Sequence, residues 1–175
     1  MSLAMRYSYL VILIAIFINT SLLLKSPELA RAAEMQKPIT AGDVEIAIGD
    51  GREIIAPPDS ATAGSKWIEH TVTYTNKSTR PIWIVGYSVT HPFSGIDKRS
   101  NKDKEWLDYG LGYCGTGAKE FEIAPNASHQ FTTALPEKYI GQEFRVTLPF
   151  LTAREKSPVI QAASKAHKLE RPAAK

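Results

Sequence analysis

Residues 67–76 of this 175-residue chain read WIEHTVTYTN, and this stretch decides the fold. One face of the stretch would carry four side chains, namely Ile68, His70, Val72 and Tyr74. The opposite face would carry Glu69 and three β-branched threonines. A repeat of two residues with one polar face is typical of a half-buried antiparallel strand. The Asn-Lys-Ser-Thr sequence that follows predicts a turn.

Similar short apolar runs continue on both sides of this strand, separated by turn residues. They occupy residues 44–48, 81–90, 106–109, 121–123, 130–135 and 144–150. Gly49-Asp50-Gly51 is predicted to end the first run, and Pro149 suits an edge or a bulge in the last. About seven strands without a helical stripe predict an all-β fold, an antiparallel β-sandwich of the immunoglobulin-like type.

Trp83 stands in an otherwise aliphatic run, PIWIVGYSVT at residues 81–90. This placement resembles the core tryptophan of the immunoglobulin and fibronectin type III sandwiches, over about residues 43–152. The disulfide that often accompanies that tryptophan is excluded, because Cys114 is the single cysteine. The resemblance implies an exported, bacterial-type sandwich domain. It transfers no site, since such folds serve many unrelated functions.

The N-terminus predicts export. Residues 10–24, LVILIAIFINTSLLL, are strongly apolar and follow Arg6, but they are short for a membrane span. Ala30-Arg31-Ala32 offers a signal peptidase site, so a signal peptide over 1–32 is expected, with an uncleaved anchor as the alternative. Contact with the membrane is expected only through an uncleaved leader. The folded part is therefore expected in the periplasm, the envelope or outside the cell.

The remaining boundaries follow from composition. Residues 33–42 are predicted to be a linker, 43–162 the sandwich, and 163–175 a basic flexible tail. Residues 157–166 favour an edge strand, with a helix beginning after Ser157 as the alternative. Two N-glycosylation sequons, at Asn76 and Asn126, fall at predicted turns.

The charge distribution argues against a nucleic-acid partner. Lys and Arg outnumber Asp and Glu by 21 to 18. The excess lies in the leader and in residues 154–175, so the predicted sandwich is slightly acidic. A slightly acidic domain is not expected to present the broad basic face that binds the phosphate backbone of a nucleic acid.

The least ordinary stretch is WLDYGLGYCGTG at residues 106–117, which combines three aromatic residues, a thiol and four glycines. With residues 91–96 it is predicted to form a loop surface at one end of the sandwich. Aromatic side chains give large contact areas at low entropic cost. The predicted binding residues are Phe93, Trp106, Tyr109, Tyr113 and Cys114. A protein, a glycan or the cell envelope is the expected partner.

Chemistry in the same region is the alternative function. Cys114 would act in thiol-dependent redox or catalysis if His70, His91 or His129 activated it and Asp108 oriented that histidine. No predicted helix N-terminus lowers the thiol pKa, so a non-catalytic module is favoured, which either binds a ligand or serves as a structural part of the envelope. A type 1 copper site is excluded because no histidine follows Cys114 closely. Zinc lacks a local spacing motif, so no metal or cofactor is expected.

We expect the Cys114 thiol to be buried and to react with a thiol reagent only after denaturation. Thiol titration of native and denatured protein, with a non-reducing mass measurement, checks this expectation. Native reaction faster than that of a free cysteine would favour the redox alternative instead.

Overall fold

The computed structural model describes residues 37–56, 58, 62–99, 105–109, 116–154 and 157–173. The predicted leader, residues 1–32, lies outside them, as do residues 33–36 of the predicted linker. Ile39–Lys175 forms one compact unit. Within the described residues, no helix is both long and apolar enough to cross a membrane.

Eleven strands and two 3₁₀ turns run through the described residues. The strands are β1 (Val44–Ile55), β2 (Lys66–Asn76), β3 (Ile82–Ser88), β4 (His91–Pro92), β5 (Gly95–Arg99), β6 (Leu107–Asp108), β7 (Lys119–Ile123), β8 (Ser128–Pro136), β9 (Glu143–Leu151), β10 (Ile160–Ala163) and β11 (His167–Lys168). The 3₁₀ turns are Ala41–Asp43 and Glu137–Tyr139.

The strands form two antiparallel sheets. The smaller sheet has the order β1-β2-β8. The larger has the order β4-β3-β9-β5-β6, with β7 on β3 and both β10 and β11 on β9. Buried side chains of both sheets form one continuous core. The all-β prediction is therefore confirmed.

The alternation predicted for β2 is present in the structure. Ile68, His70, Val72 and Tyr74 are all buried, with exposed fractions of 2% or less. β9 shows the same pattern on its inner face, where Phe144, Val146, Leu148 and Phe150 are buried. These two strands supply much of the core because each places every second side chain inside.

Strand β1 is longer than the sequence predicts. It does not end at Gly49-Asp50-Gly51 but continues to Ile55, with a register shift between Ile48 and Gly51. The glycines therefore form a bulge rather than a turn. A bulge keeps two strands paired while inserting a residue on one of them, which a sequence pattern alone cannot distinguish from a turn.

Trp83 does not occupy the core position that the resemblance suggested. Its neighbours Ile82 and Ile84 are fully buried, whereas Trp83 points to the other face and is half-buried. Because side chains alternate along a strand, the two isoleucines and the tryptophan cannot share a face. The expectation of a core tryptophan was wrong.

The C-terminal boundary and the linker boundary also need correction. Residues 160–163 form β10, in agreement with the favoured strand prediction, but the chain beyond them is not a loose tail. β11 pairs with β9, and Leu169 is buried with 1% of its surface exposed. At the other end, Ile39 of the predicted linker belongs to the core. Both ends remain ordered because they bury apolar side chains on a sheet that is already formed.

Asn76 links the end of β2 to two other segments. Its amide nitrogen donates to the carbonyls of Arg80, at 2.8 Å, and Ile123, at 3.0 Å. Its amide oxygen accepts from the backbone N–H of Ser78 and from the Ser78 hydroxyl. Asn76 has no exposed surface, so glycosylation of its sequon is incompatible with this fold.

Asn76→Ala is expected to lower the free energy of unfolding by about 2–4 kcal/mol, because it removes every hydrogen bond of a fully buried amide and takes the acceptor from the buried Ser78 N–H. Thr79→Ala changes an exposed side chain in the same turn and is the control. Urea unfolding of both variants measures the difference. Equal stability of the two would contradict this role for Asn76.

Candidate functional site

The outer face of β5 and β9 carries a ladder of opposite charges. The antiparallel register places Asp97 opposite Arg145 and Arg99 opposite Glu143. The Arg145 and Asp97 side chains approach to 2.8 Å, and the Arg99 and Glu143 side chains to 2.5 Å. Opposite charges directly across an antiparallel pair stabilise the register. The ladder is therefore a fixed feature of this face.

Trp106, which precedes β6, lies on this ladder. The guanidinium carbons of Arg99 and Arg145 are each 4.6 Å from the centroid of the Trp106 ring. Cation–π contacts at this distance orient both arginines. Trp106 was predicted as an anchor for a partner, and here its ring also organises the charged side chains beneath it.

An open cleft of about 610 Å³ adjoins the ladder. Its lining residues are Phe93, Ser94, Gly95, Asp97, Asp108, Arg145, Thr147, Pro149, Gln161 and Ala163. The cleft lies where β3 and β5 pair with different parts of β9, at residues 150–151 and 143–147 respectively. Pro149 suits this interruption because it has no N–H to donate to a ladder.

Gly95 allows β5 to approach β9 closely beside the cleft. A Cβ atom on Gly95 would lie 2.5 Å from the Thr147 hydroxyl oxygen, a distance that no real side chain tolerates. Thr147 itself is only 3% exposed. The floor of the cleft is therefore set by a glycine that the sequence analysis did not single out.

Of the five predicted binding residues, the structure describes three. Phe93 lines the cleft and packs edge-on against Tyr87, with ring centroids 5.3 Å apart. Trp106 contacts the cleft residue Arg145, so these two predicted residues adjoin one site. Tyr113 and Cys114 lie outside the described residues.

The third described residue, Tyr109, belongs to a separate cluster. Its ring packs edge-on against Tyr139 at 5.4 Å, and the Lys98 ammonium lies 3.8 Å from the centroid of the Tyr139 ring. Hydrogen bonding to Lys98, opposed by burial, holds the pKa of Tyr139 below its ordinary value. Burial, together with the neighbouring Tyr139, raises the pKa of Tyr109.

The three histidines considered for catalysis have different surroundings. His70 is buried and bonds the Gly49 carbonyl, His91 contacts Ser88 and Thr90, and His129 packs on Tyr74. The nearest ring neighbours of His70 are Phe144 and His167. Burial, and second the neighbouring His70, lowers the pKa of His167.

Sequence reasoning missed Asp97, Arg99, Arg145 and Glu143 as members of one surface. The sequence shows alternation only around Arg145, which lies between Phe144 and Val146, whereas residues 97–99 are polar without interruption. Alternation predicts that Arg145 faces outward but not that its strand lies beside the strand of Asp97.

No family model and no curated protein matches the sequence. Among solved structures, one provisionally assigned as an ApaA protein from Bordetella pertussis is 16% identical, with a TM-score of 0.48, over 78% of this chain and all of that chain. An X-ray structure of a further structural genomics target is 12% identical, with the same TM-score, over 77% of this chain and 91% of that chain.

A third similar structure is a β-glucosidase from Erythrobacter marinus, 9% identical with a TM-score of 0.28. The match covers 69% of this chain but only 15% of the glucosidase. At these identities and TM-scores, none of the likenesses carries information about function.

Tyr139 is expected to ionise at a lower pH than Tyr109 and Tyr74. Burial raises the pKa of Tyr74 far above its ordinary value, so it ionises last. The pKa of Tyr139 is lower in the folded protein than in the unfolded chain. The stabilisation that follows from this difference is present above the ordinary tyrosine pKa and is lost as the pH falls through the pKa of the folded protein.

The absorbance of tyrosinate is measured against pH in the wild type and in Tyr139→Phe. The difference between the two curves is the titration of Tyr139. Lys98→Met should move that titration to higher pH, since it removes the ammonium. An unchanged titration in Lys98→Met would show that Lys98 does not control Tyr139.

Proposed function

We propose that the protein is an exported, non-catalytic sandwich of the immunoglobulin and fibronectin type III type, which binds a glycan in the cleft beside β9. The observation that carries the proposal is the cleft itself, where Phe93, Asp97, Asp108 and Arg145 line one open space. The predicted N-terminal signal supports the export part of the proposal.

The order of the strands supports the fold part of the proposal. In immunoglobulin-type sandwiches, the first, second and fifth strands share one sheet, and the third, sixth and seventh form the other. Here β1, β2 and β8 share one sheet, while β3, β9 and β10 belong to the other. β7 departs from the constant-domain pattern because it pairs with β3 rather than with the smaller sheet.

The chemistry of the lining favours a glycan among the predicted partners. Asp97 and Asp108 offer acceptors, and Arg145 and Gln161 offer donors. A sugar hydroxyl both donates and accepts, so it can pair with either kind of group. Phe93 adds an apolar ring, and a few polar groups around an apolar element are typical of small-ligand sites.

An extended peptide fits this cleft less well. Addition of a peptide as an extra strand needs an unbroken ladder of backbone donors and acceptors. Pro149 lacks a donor on the strand that faces the cleft, so such a ladder would be incomplete. A protein partner is thus the second candidate, and it would use the side chains of the same surface.

Phe93→Ala and Asp108→Asn are each expected to weaken glycan binding by about tenfold or more, since hot-spot residues typically contribute at least that much. An oligosaccharide array finds the glycan, and isothermal titration calorimetry measures its affinity for the full-length protein and the variants. Ile55→Ala is the control, because Ile55 is an exposed apolar residue of the smaller sheet.

Two outcomes would change the proposal. In the first, no oligosaccharide binds, but the protein binds a protein ligand and Phe93→Ala abolishes that binding. The cleft would then be a site for a protein partner. Loss of function in Cys114→Ser with the cleft variants unaffected would instead favour the thiol-dependent alternative.

A further inference from the structure

A second cleft, of about 1080 Å³, lies between the β1-β2 hairpin and the C-terminal segment. Its lining residues are Asp50, Gly51, Arg52, Glu53, His70, His167, Lys168, Glu170, Arg171, Pro172 and Ala173. It shares no residue with the cleft beside Phe93. Two histidines from distant parts of the sequence meet here.

His70 presents a buried lone pair at this cleft. Its Nδ1 atom lies 2.9 Å from the Gly49 carbonyl oxygen. Because a carbonyl only accepts hydrogen bonds, Nδ1 carries the proton and Nε2 carries the lone pair. His70 is 2% exposed, and Nε2 has no hydrogen-bond partner among the described residues. A buried polar atom without a partner needs an explanation.

Gly51 keeps the space beside this nitrogen open. A Cβ atom on Gly51 would lie 3.1 Å from His70 Nε2 and 2.9 Å from Cε1. Gly51 belongs to the bulged part of β1 and pairs with His70 across the sheet. The glycine therefore leaves room beside Nε2 that a side chain at this position would fill.

His167 brings a second imidazole to the same place. The centroids of the His70 and His167 rings are 5.2 Å apart, with the ring planes at 77°. His167 lies on β11 and is half-buried, held in position by the pairing of β11 with Phe144 and Glu143 of β9. Strand pairing thus holds the backbones of His70 and His167 at neighbouring positions.

We infer that His70 Nε2 and His167 bind one transition-metal ion, with Zn²⁺ as the expected metal. Two imidazoles on a tetrahedral ion, with Zn–N distances of about 2.0–2.1 Å, place their ring centroids about 5 Å apart. The observed separation agrees with that geometry. Imidazole suits zinc, copper and nickel, whereas Mg²⁺ and Ca²⁺ prefer oxygen ligands.

The remaining coordination positions belong to water or to a carboxylate that turns towards the ion. Asp50 and Glu170 line the cleft and interact electrostatically with His167. No group of three histidine, cysteine or acidic ligands is already assembled in the described part of the chain. The ion would therefore connect β2 of the smaller sheet to β11 of the larger sheet. Two protein ligands would hold it before any carboxylate turns towards it.

Isothermal titration calorimetry of the full-length protein with Zn²⁺ at neutral pH tests this site. We expect one Zn²⁺ per chain, no heat with Mg²⁺, and a loss of affinity of about tenfold or more in His167→Ala, since even outer residues of metal sites change affinity that much. His129→Ala, a half-buried histidine on β8 outside this cleft, should bind as the wild type does.

His70→Asn keeps an amide donor for the Gly49 carbonyl but removes the Nε2 lone pair, so it should also lose Zn²⁺. His167→Ala decides the question if the His70 variant does not fold. A rise in melting temperature with Zn²⁺, absent in His167→Ala, is the second readout. Absence of Zn²⁺ binding, or equal binding by wild type, His167→Ala and His129→Ala, would overturn the inference.

Discussion

Strand β9 is the constraint on which the rest of the structure depends. It pairs with β3 and β5 at different positions, and with β10 and β11 at two further positions. Its inner side chains fill the core, and its outer side chains, Arg145 and Thr147 among them, form the floor of the first cleft. A shift of its register by one residue would move its whole set of inner side chains to the outer face.

The two candidate sites follow from the same arrangement. β3 pairs with residues 150–151 of β9 and β5 with residues 143–147. The cleft beside Phe93 lies at the gap between these two pairings. Where β11 pairs with the first residues of β9, His167 is brought against His70 of the smaller sheet. One site thus presents mixed charge and an aromatic ring on an outer face, and the other presents two imidazoles at an edge of the core.

The outcome of the sequence analysis depended on how local each signal was. The alternation in β2 and β9 was correctly interpreted, because a repeat of two residues reports directly on which side chains share a face. Trp83 and the C-terminal tail were misjudged for a different reason. A tryptophan in an apolar strand fits either face, and Leu169 is a single apolar residue in a basic segment whose burial depends on β9 being near.

The sequence by itself determined the all-β class and the inward faces of the longest strands, since these depend only on periodicity along the chain. It also predicted Phe93 and Trp106 as binding residues, and both lie beside one cleft. Only the tertiary structure decided that Asp97 meets Arg145 and that His70 meets His167. These partners are 48 and 97 positions apart, and pairing over such separations depends on strand order and register, which no local pattern encodes.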